Sequence, residues 1–184
     1  MAQPSLELVW TLPGTLCRGA FVQKDPEEER EGVRLQRRIT ERLGPDPLRA
    51  DWDAGEAARW LAADPSRPLA AALLDQQQLA GLGNLWVNEL LFVRGHNPRL
   101  LAGAADLDRL VAVAARMLRQ SITVRGNGQV TTSDRRRGHQ HWVYGRTGEP
   151  CRRCGAPIRH AGAEPGDPWQ RATWWRPQCQ PEPS

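Results

Sequence analysis

Residues 73–92, with the sequence LLDQQQLAGLGNLWVNELLF, decide the fold of this 184-residue chain. Two apolar segments flank a polar connection that contains two glycines. Gly81 and Gly83 can adopt positive φ angles, and they allow two helices to approach each other closely. The stretch therefore predicts a helical hairpin, in which a glycine-bracketed turn joins a first helix to a second helix that begins near Asn84.

Asn84 occupies the position expected for the N-cap of the second helix, because it directly precedes an apolar run. A helix N-terminus presents free backbone N–H groups and the positive end of the helix dipole, and both suit a phosphate. The alternative is a plain helical hairpin within the core. Asn84, Gly81 and Gly83 are therefore candidate anion-binding residues, and the pattern alone leaves both interpretations open.

Further helices are predicted on both sides of this hairpin, so that a compact α-domain extends over residues 53–122. The supporting signals are a capping box at Asp53 and Glu56, a first-turn proline at Pro68, a helix over residues 69–79, a helix end at Gly95, and an amphipathic helix capped by Asp106 over residues 107–122. Before this domain, residues 6–10 predict a strand without a partner, and residues 25–42 predict a solvated helix or a partly disordered segment.

The positive charge of the chain is carried almost entirely by arginine, since Lys24 is the only lysine. Arginine favours bidentate recognition of phosphate, although a GC-rich genome would produce the same bias. The cluster Arg135, Arg136 and Arg137 predicts an electrostatic track for a phosphodiester backbone, with a solvated loop as the alternative. No apolar run is long enough to span a membrane and no signal peptide is evident, so a cytoplasmic location is expected.

The C-terminal third contains a cysteine pattern typical of structural zinc sites. Cys151 and Cys154 have the spacing of a knuckle in which two thiolates bind one ion, and Cys179 lies where a second knuckle is expected. In a chain without an export signal, this pattern indicates metal binding or redox chemistry before a disulfide.

The fourth zinc ligand is not evident from the sequence. Arg176 stands three residues before Cys179, where a partner thiolate is expected, and a cation there would repel a metal unless it turned to solvent. His160, Glu149 or water could complete the site, but His160 is expected to point away along the hairpin. The alternative is a hairpin that is held together by its tryptophans.

Two of these segments together resemble a known family. The run LLDQQQLAGLGNLWVNELLF resembles the helix-two-turn-helix of the formamidopyrimidine-DNA glycosylase and endonuclease VIII (Fpg/Nei) family. The segments WVYGRTGEPCRRCGAPI and QRATWWRPQCQ resemble the C-terminal zinc-finger hairpin of that family. The resemblance extends over residues 44–181, and the bacterial Nei-like branch is the most similar.

The resemblance implies a protein of base-excision repair that binds damaged double-stranded DNA. Asn84 would then contact a phosphate beside the lesion, and Arg171, near the tip of the hairpin, would contact the same stretch of backbone. Cys151, Cys154 and Cys179 would be the remaining zinc ligands. The expected protein is monomeric, cytoplasmic and associated with the nucleoid when it is bound to DNA.

The N-terminus departs from the family pattern. Family members begin with a proline nucleophile followed by a glutamate, whereas this chain begins MAQPS. The resemblance therefore implies DNA binding without glycosylase activity and with no catalytic residue. The alternatives are a glycosylase or abasic-site lyase that uses the amine of Ala2 or Lys24, a truncated gene product with a mis-assigned start, and a zinc-dependent protein adaptor.

The predicted fold is mainly α, with a helix-two-turn-helix domain followed by a small zinc-finger-like β-hairpin and with the family's N-terminal β-sandwich largely missing. Residues 1–43 are predicted to hold a remnant strand and a charged segment. Residues 44–126 form the predicted DNA-binding domain, and residues 127–184 form a basic linker and the hairpin.

Overall fold

The computed structural model describes residues 9–12, 15–18, 42–123, 129–132, 134, 136, 138–163 and 171–183. The chain divides into two compact units, Met1–Glu41 and Arg42–Ser184. The domain boundary predicted after residue 126 falls among residues 124–128, which lie outside the described part, and it stays a prediction.

The first unit contains a two-stranded antiparallel sheet. Strand β1 (Val9–Leu12) pairs with β2 (Thr15–Arg18). The prediction of a strand without a partner was wrong, because only two residues separate the end of β1 from the start of its partner. Residues 19–41, which hold most of the charged segment, lie outside the described residues.

The second unit begins with a helical domain, which confirms the mainly α prediction. Its described helices are α1 (Ala54–Ala62), α2 (Leu69–Leu74), α3 (Asn84–Arg94), a 3-10 turn (Ala102–Ala104) and α4 (Leu107–Ile122). Their apolar faces meet in one core that contains the fully buried side chains of Leu61, Leu69, Leu90 and Leu110. No helix among the described residues is long and apolar enough to cross a membrane.

Capping residues fix the limits of these helices. The Asp53 carboxylate accepts hydrogen bonds from the backbone N–H groups of Gly55 at 2.7 Å and Glu56 at 3.1 Å, as the sequence predicts for α1. Asp106 caps α4 by accepting from a backbone N–H in the first turn. Gly95, with a φ of 72°, ends α3 in the left-handed region that glycine adopts without strain.

The helix predicted over residues 69–79 is shorter in the structure. It ends at Leu74, because the backbone of Asp75 is extended, with a ψ of 105°. The Asp75 carboxylate accepts a hydrogen bond from the Gln77 N–H at 2.9 Å and forms an ion pair with Arg67, also at 2.9 Å. Both interactions stabilise a turn at the point where the apolar pattern predicts more helix.

A small β-hairpin completes the second unit, as predicted. Strand β3 (Arg159–Ala161) pairs antiparallel with β4 (Thr173–Trp175), and residues 164–170 between them lie outside the described part. A second apolar cluster connects the hairpin module to α3. Its buried members are Phe92, Val143, Cys151 and Ile158, and Trp142, Trp174 and Cys179 pack against them.

A buried carboxylate joins α3 to the segment that leads into the hairpin. Glu89 is fully buried in α3, and its oxygens accept hydrogen bonds from the backbone N–H groups of Trp142 at 2.7 Å and of Val143 and Tyr144 at 2.8 Å each. The Thr131 hydroxyl donates to the same carboxylate. Each of these donors has its partner in Glu89, so the charge is buried without a deficit of hydrogen bonds.

Replacement of Glu89 should therefore destabilise the protein strongly. In Glu89→Gln an amide N–H₂ replaces one accepting oxygen and faces buried N–H donors, and we expect a loss of about 1–3 kcal/mol in the free energy of unfolding. Urea denaturation monitored by circular dichroism measures this loss. The exposed Glu182 gives the control Glu182→Gln, which removes the same charge, and equal unfolding midpoints for the two variants would contradict the assigned role.

Candidate nucleic-acid interface and cysteine cluster

Gln76 fixes the turn between α2 and α3. Its side-chain oxygen accepts a hydrogen bond from the Gly81 N–H at 3.0 Å, and its side-chain nitrogen donates to the Leu82 carbonyl at 2.8 Å. Gly81 has a φ of 89°, as the sequence predicts, and is exposed. The turn is therefore held from within and presents Gly81 at the surface.

The segment that precedes α1 supports the same turn from outside. The Gly44 N–H donates to the Gln76 carbonyl at 2.9 Å, and the Ala80 N–H donates to the Pro45 carbonyl at 3.0 Å. A β-carbon at Gly44 would lie 2.5 Å from the carbonyl oxygen of Gln77, so only glycine fits this approach. The sequence does not reveal this contact, because the two segments that form it are more than thirty residues apart.

The start of α3 differs from the prediction by one residue. Gly83, and not Asn84, is the N-cap, and its φ of −92° and ψ of 175° are extended and not left-handed. Asn84 is the first helical residue. Because glycine has no side chain, no side-chain hydrogen bond caps the first N–H groups of α3. The exposed Gly83 leaves this end of the helix open to a ligand.

The Asn84 side chain joins the helix end to the hairpin. Its Nδ2 donates to the Ala172 carbonyl at 2.9 Å, and its Oδ1 accepts from the side-chain amide of Asn88 at 3.1 Å. Asn88 is 2% exposed, and its Oδ1 accepts from the Trp174 N–H at 2.7 Å. These two asparagines, one turn apart on α3, therefore hold β4 and the residue before it against the helix.

The predicted DNA contacts Asn84 and Arg171 are thereby brought together. Arg171 is adjacent in sequence to Ala172, whose carbonyl accepts the Asn84 hydrogen bond, and it is exposed. An exposed arginine therefore directly precedes the residue that Asn84 binds at the uncapped N-terminus of α3. The arginine and the helix end can each supply donors and positive charge.

The predicted arginine cluster is only partly described. Arg135 and Arg137 lie outside the described residues. Arg136 is exposed, but its Nη2 lies 2.6 Å from a carboxylate oxygen of Asp134. Hydrogen bonds from Arg136 hold the pKa of Asp134 well below its usual range, so the pair stays ionised and the charge of Arg136 is locally balanced.

Three further arginines, which lie between the arginine cluster and the hairpin, have structural partners. Arg146 is 7% exposed and donates to the Glu149 carboxylate and to two backbone carbonyls. Arg152 donates to the carbonyls of Gly138 and His141. The Arg153 guanidinium lies 4.4 Å from the centroid of the Phe92 ring. The sequence therefore overstates the positive charge that is available to a partner.

Cys151, Cys154 and Cys179 form a cluster in which all three Sγ atoms lie within 4.8 Å of one another. A backbone hydrogen bond from Ala156 and a side-chain hydrogen bond from Arg176 lower the pKa of Cys154 to about 7. Burial, with a contribution from Cys154, raises the pKa of Cys179 to about 11. The three sulfurs are close enough to share one metal ion.

Arg176 stands beside this cluster and does not turn away to solvent. Its Nε lies 3.3 Å from the Sγ of Cys154, and its Nη2 donates to the Gln178 side chain at 3.2 Å. Among the described residues, neither alternative fourth ligand joins the cluster. The His160 ring packs 4.7 Å from the Trp174 ring, and Glu149 is hydrogen-bonded to Arg146.

Comparison with known proteins agrees with this geometry. Residues 43–133 match the formamidopyrimidine-DNA glycosylase H2TH domain. The chain is 49% identical over 139 residues to DNA-(apurinic or apyrimidinic site) lyase Nei2 of Mycolicibacterium smegmatis. The matched stretch covers 75% of this chain and 52% of that protein. It is 38% identical over 171 residues to a probable endonuclease 8 2 of Streptomyces coelicolor, covering 93% of this chain and 61% of that protein.

A solved structure shows the same fold. The formamidopyrimidine-DNA glycosylase of Lactococcus lactis, bound non-covalently to DNA that contains an abasic site, superposes with a TM-score of 0.64 at 26% identity. The match covers 83% of this chain and 55% of that one. The chain thus spans about half the length of the curated relatives it matches.

Proposed function

We propose that this chain, which belongs to the Fpg/Nei family, binds duplex DNA through phosphate contacts. The family assignment rests on the match of residues 43–133 to the H2TH domain and on the cysteine hairpin that follows it. The observation that carries this proposal is the hydrogen bond from Asn84 to the Ala172 carbonyl. It brings the open N-terminus of α3 next to the exposed Arg171.

Asn84 and the start of α3 both retain hydrogen-bond donors that can bind a phosphate. The Asn84 amide has two N–H donors, of which one is used by Ala172, so the other can meet a phosphate oxygen. The helix N-terminus adds backbone N–H groups and a positive dipole. Gly81 and Gly83 are exposed beside it and leave room for a DNA backbone to approach.

The side chains proposed to contact DNA are an amide and a guanidinium, which suit binding of a phosphate. For residues 42–184 we therefore propose the role of holding damaged duplex DNA. Arg135 and Arg137 are proposed to add electrostatic attraction, and Arg136 is proposed to add less because Asp134 balances its charge.

We expect Asn84→Ala to weaken duplex binding about tenfold, because it removes one hydrogen bond to a charged phosphate. Arg171→Ala should weaken binding as well and should lower the slope of log K against log salt by about 0.9. Fluorescence anisotropy with blunt duplexes, with and without an abasic site, measures both effects.

Arg109→Ala is the matched control for the loss of one charge, since Arg109 is exposed on α4. Circular dichroism should show that all three variants are folded. If Asn84→Ala and Arg171→Ala alter affinity no more than Arg109→Ala does, the proposed interface is wrong.

A second candidate function is cleavage at abasic sites, which the name of the relative from Mycolicibacterium smegmatis favours. The α-amine that Ala2 exposes once Met1 is removed, or the side-chain amine of Lys24, would form a Schiff base with the opened sugar with loss of water. Both residues lie outside the described part. If the chain has this activity, borohydride will trap a covalent adduct on abasic DNA, and Lys24→Ala will show which amine reacts. Absence of any adduct would reject the activity for this chain.

We also propose that the cysteine cluster binds zinc through three thiolates. Three thiolates carry one more negative charge than zinc neutralises, and the Arg176 guanidinium beside Cys154 can balance it. Three protein ligands leave one coordination position for an exchangeable ligand, unlike a closed structural site. In this proposal Arg176, which the sequence analysis expects to repel the metal, instead balances the charge of the thiolates.

Arg176→Cys should therefore convert an exchangeable site into a closed one and raise zinc affinity at least tenfold. Zinc content after dialysis against a chelator, measured by mass spectrometry, checks this. Cys154→Ser should abolish binding, and Cys17→Ser, in the other compact unit, should not. If neither the wild type nor Arg176→Cys retains zinc, the zinc proposal is wrong, and the apolar cluster and the hydrogen bonds from α3 hold the hairpin.

A further inference from the structure

A cleft of about 310 Å³ lies between α2 and the β3–β4 hairpin. One side is formed by the small and apolar side chains of Ala70, Ala71 and Leu74. Trp175 lines the opposite side, and Arg99 and Arg171 also line the cleft. No acidic side chain is among the described residues of the lining, which combines an apolar surface with two arginines.

Arg99 is held in place in this cleft. Its guanidinium lies over the Trp175 ring, 5.9 Å from the ring centroid. Its backbone N–H donates at 3.0 Å to Asn97, a residue that is 4% exposed and that also donates to the Gln180 carbonyl at 3.2 Å. Both the backbone and the side chain of Arg99 are therefore positioned before a ligand arrives, which lowers the entropy cost of binding.

The cleft is continuous with the proposed DNA interface. Arg171 belongs to both, and the next residue, Ala172, accepts the hydrogen bond from Asn84 at the start of α3. Arg171 and Arg99 line the same cleft, so the cleft connects the residue at the proposed phosphate site with a second arginine.

We propose that this cleft binds an unpaired nucleotide of the DNA strand that is held at α3. Its base lies against Trp175 and the apolar side of α2, and its phosphate lies between Arg99 and Arg171. This inference rests on the proposed function, because it places the nucleotide next to the phosphate bound by Asn84.

The chemistry of the lining favours a nucleotide over other anions. An aromatic ring and a guanidinium stack on any base, and two arginines match a phosphodiester. The small side chains of Ala70 and Ala71 leave the volume of about 310 Å³ open, where larger side chains would fill the cleft. A paired base cannot enter, because it is already stacked inside the duplex.

The test compares a blunt duplex with the same duplex bearing one unpaired nucleotide, placed as a 5′ extension, a 3′ extension or a central bulge. Anisotropy should show that at least one of the three binds the full chain about fivefold tighter than the blunt duplex, which is the lower end of the range for one base stacked on an aromatic ring. Arg99→Ala and Trp175→Leu should each reduce this preference, taken as the ratio of the two affinities measured for the same variant, to less than twofold.

Two controls separate the cleft from general effects of charge and aromatic loss. Arg109→Ala removes an exposed arginine elsewhere, and Trp60→Leu removes a tryptophan that is 44% exposed on α1, so both should keep the preference. If the wild type shows no preference, or if Arg99→Ala keeps it, the inference is wrong. Failure of the proposed function would look different, since the blunt duplex itself would not bind.

Discussion

The buried carboxylate of Glu89 is the interaction on which the rest of the second unit depends. Its oxygens accept hydrogen bonds from three backbone N–H groups of residues 142–144 and from the Thr131 hydroxyl. The three N–H groups belong to a segment without regular secondary structure, so no helix or sheet supplies acceptors for them. Because Glu89 fixes that segment on α3, the knuckle and hairpin that follow it also have a fixed place relative to the start of the helix.

The helical domain was largely predictable from local pattern. Apolar periodicity and capping residues predicted α1, α3 and α4, because these signals act within a few residues. The pattern failed at Asp75 and at Gly83. In both places a hydrogen bond or an extended backbone at one residue decided the boundary, and apolar spacing does not record such effects.

The sequence was less informative about polar residues, because their partners are distant in the chain. Glu89 within an apolar helix gave no sign of donors that follow more than forty residues later. The arginines looked like one basic surface, yet Arg146, Arg152 and Arg153 are used internally. Arg171 and Arg99 line the cleft instead, a difference that only the tertiary structure shows. The cysteine cluster, by contrast, was predicted correctly, because the knuckle spacing fixes two sulfurs locally and the hairpin returns the third.

Several contacts that join α3 and the residues after it to the hairpin link residues far apart in the chain, and this has a consequence for biosynthesis. Asn84 meets Ala172, Asn88 meets Trp174 and Asn97 meets Gln180, pairs that are 83 to 88 residues apart. During translation the helical domain emerges before the hairpin, and its core consists of contacts among residues 57–118. The polar groups along α3 and beyond it remain hydrated until the hairpin leaves the ribosome. The proposed DNA interface, which needs both Asn84 and Arg171, is therefore completed only after the hairpin has joined α3.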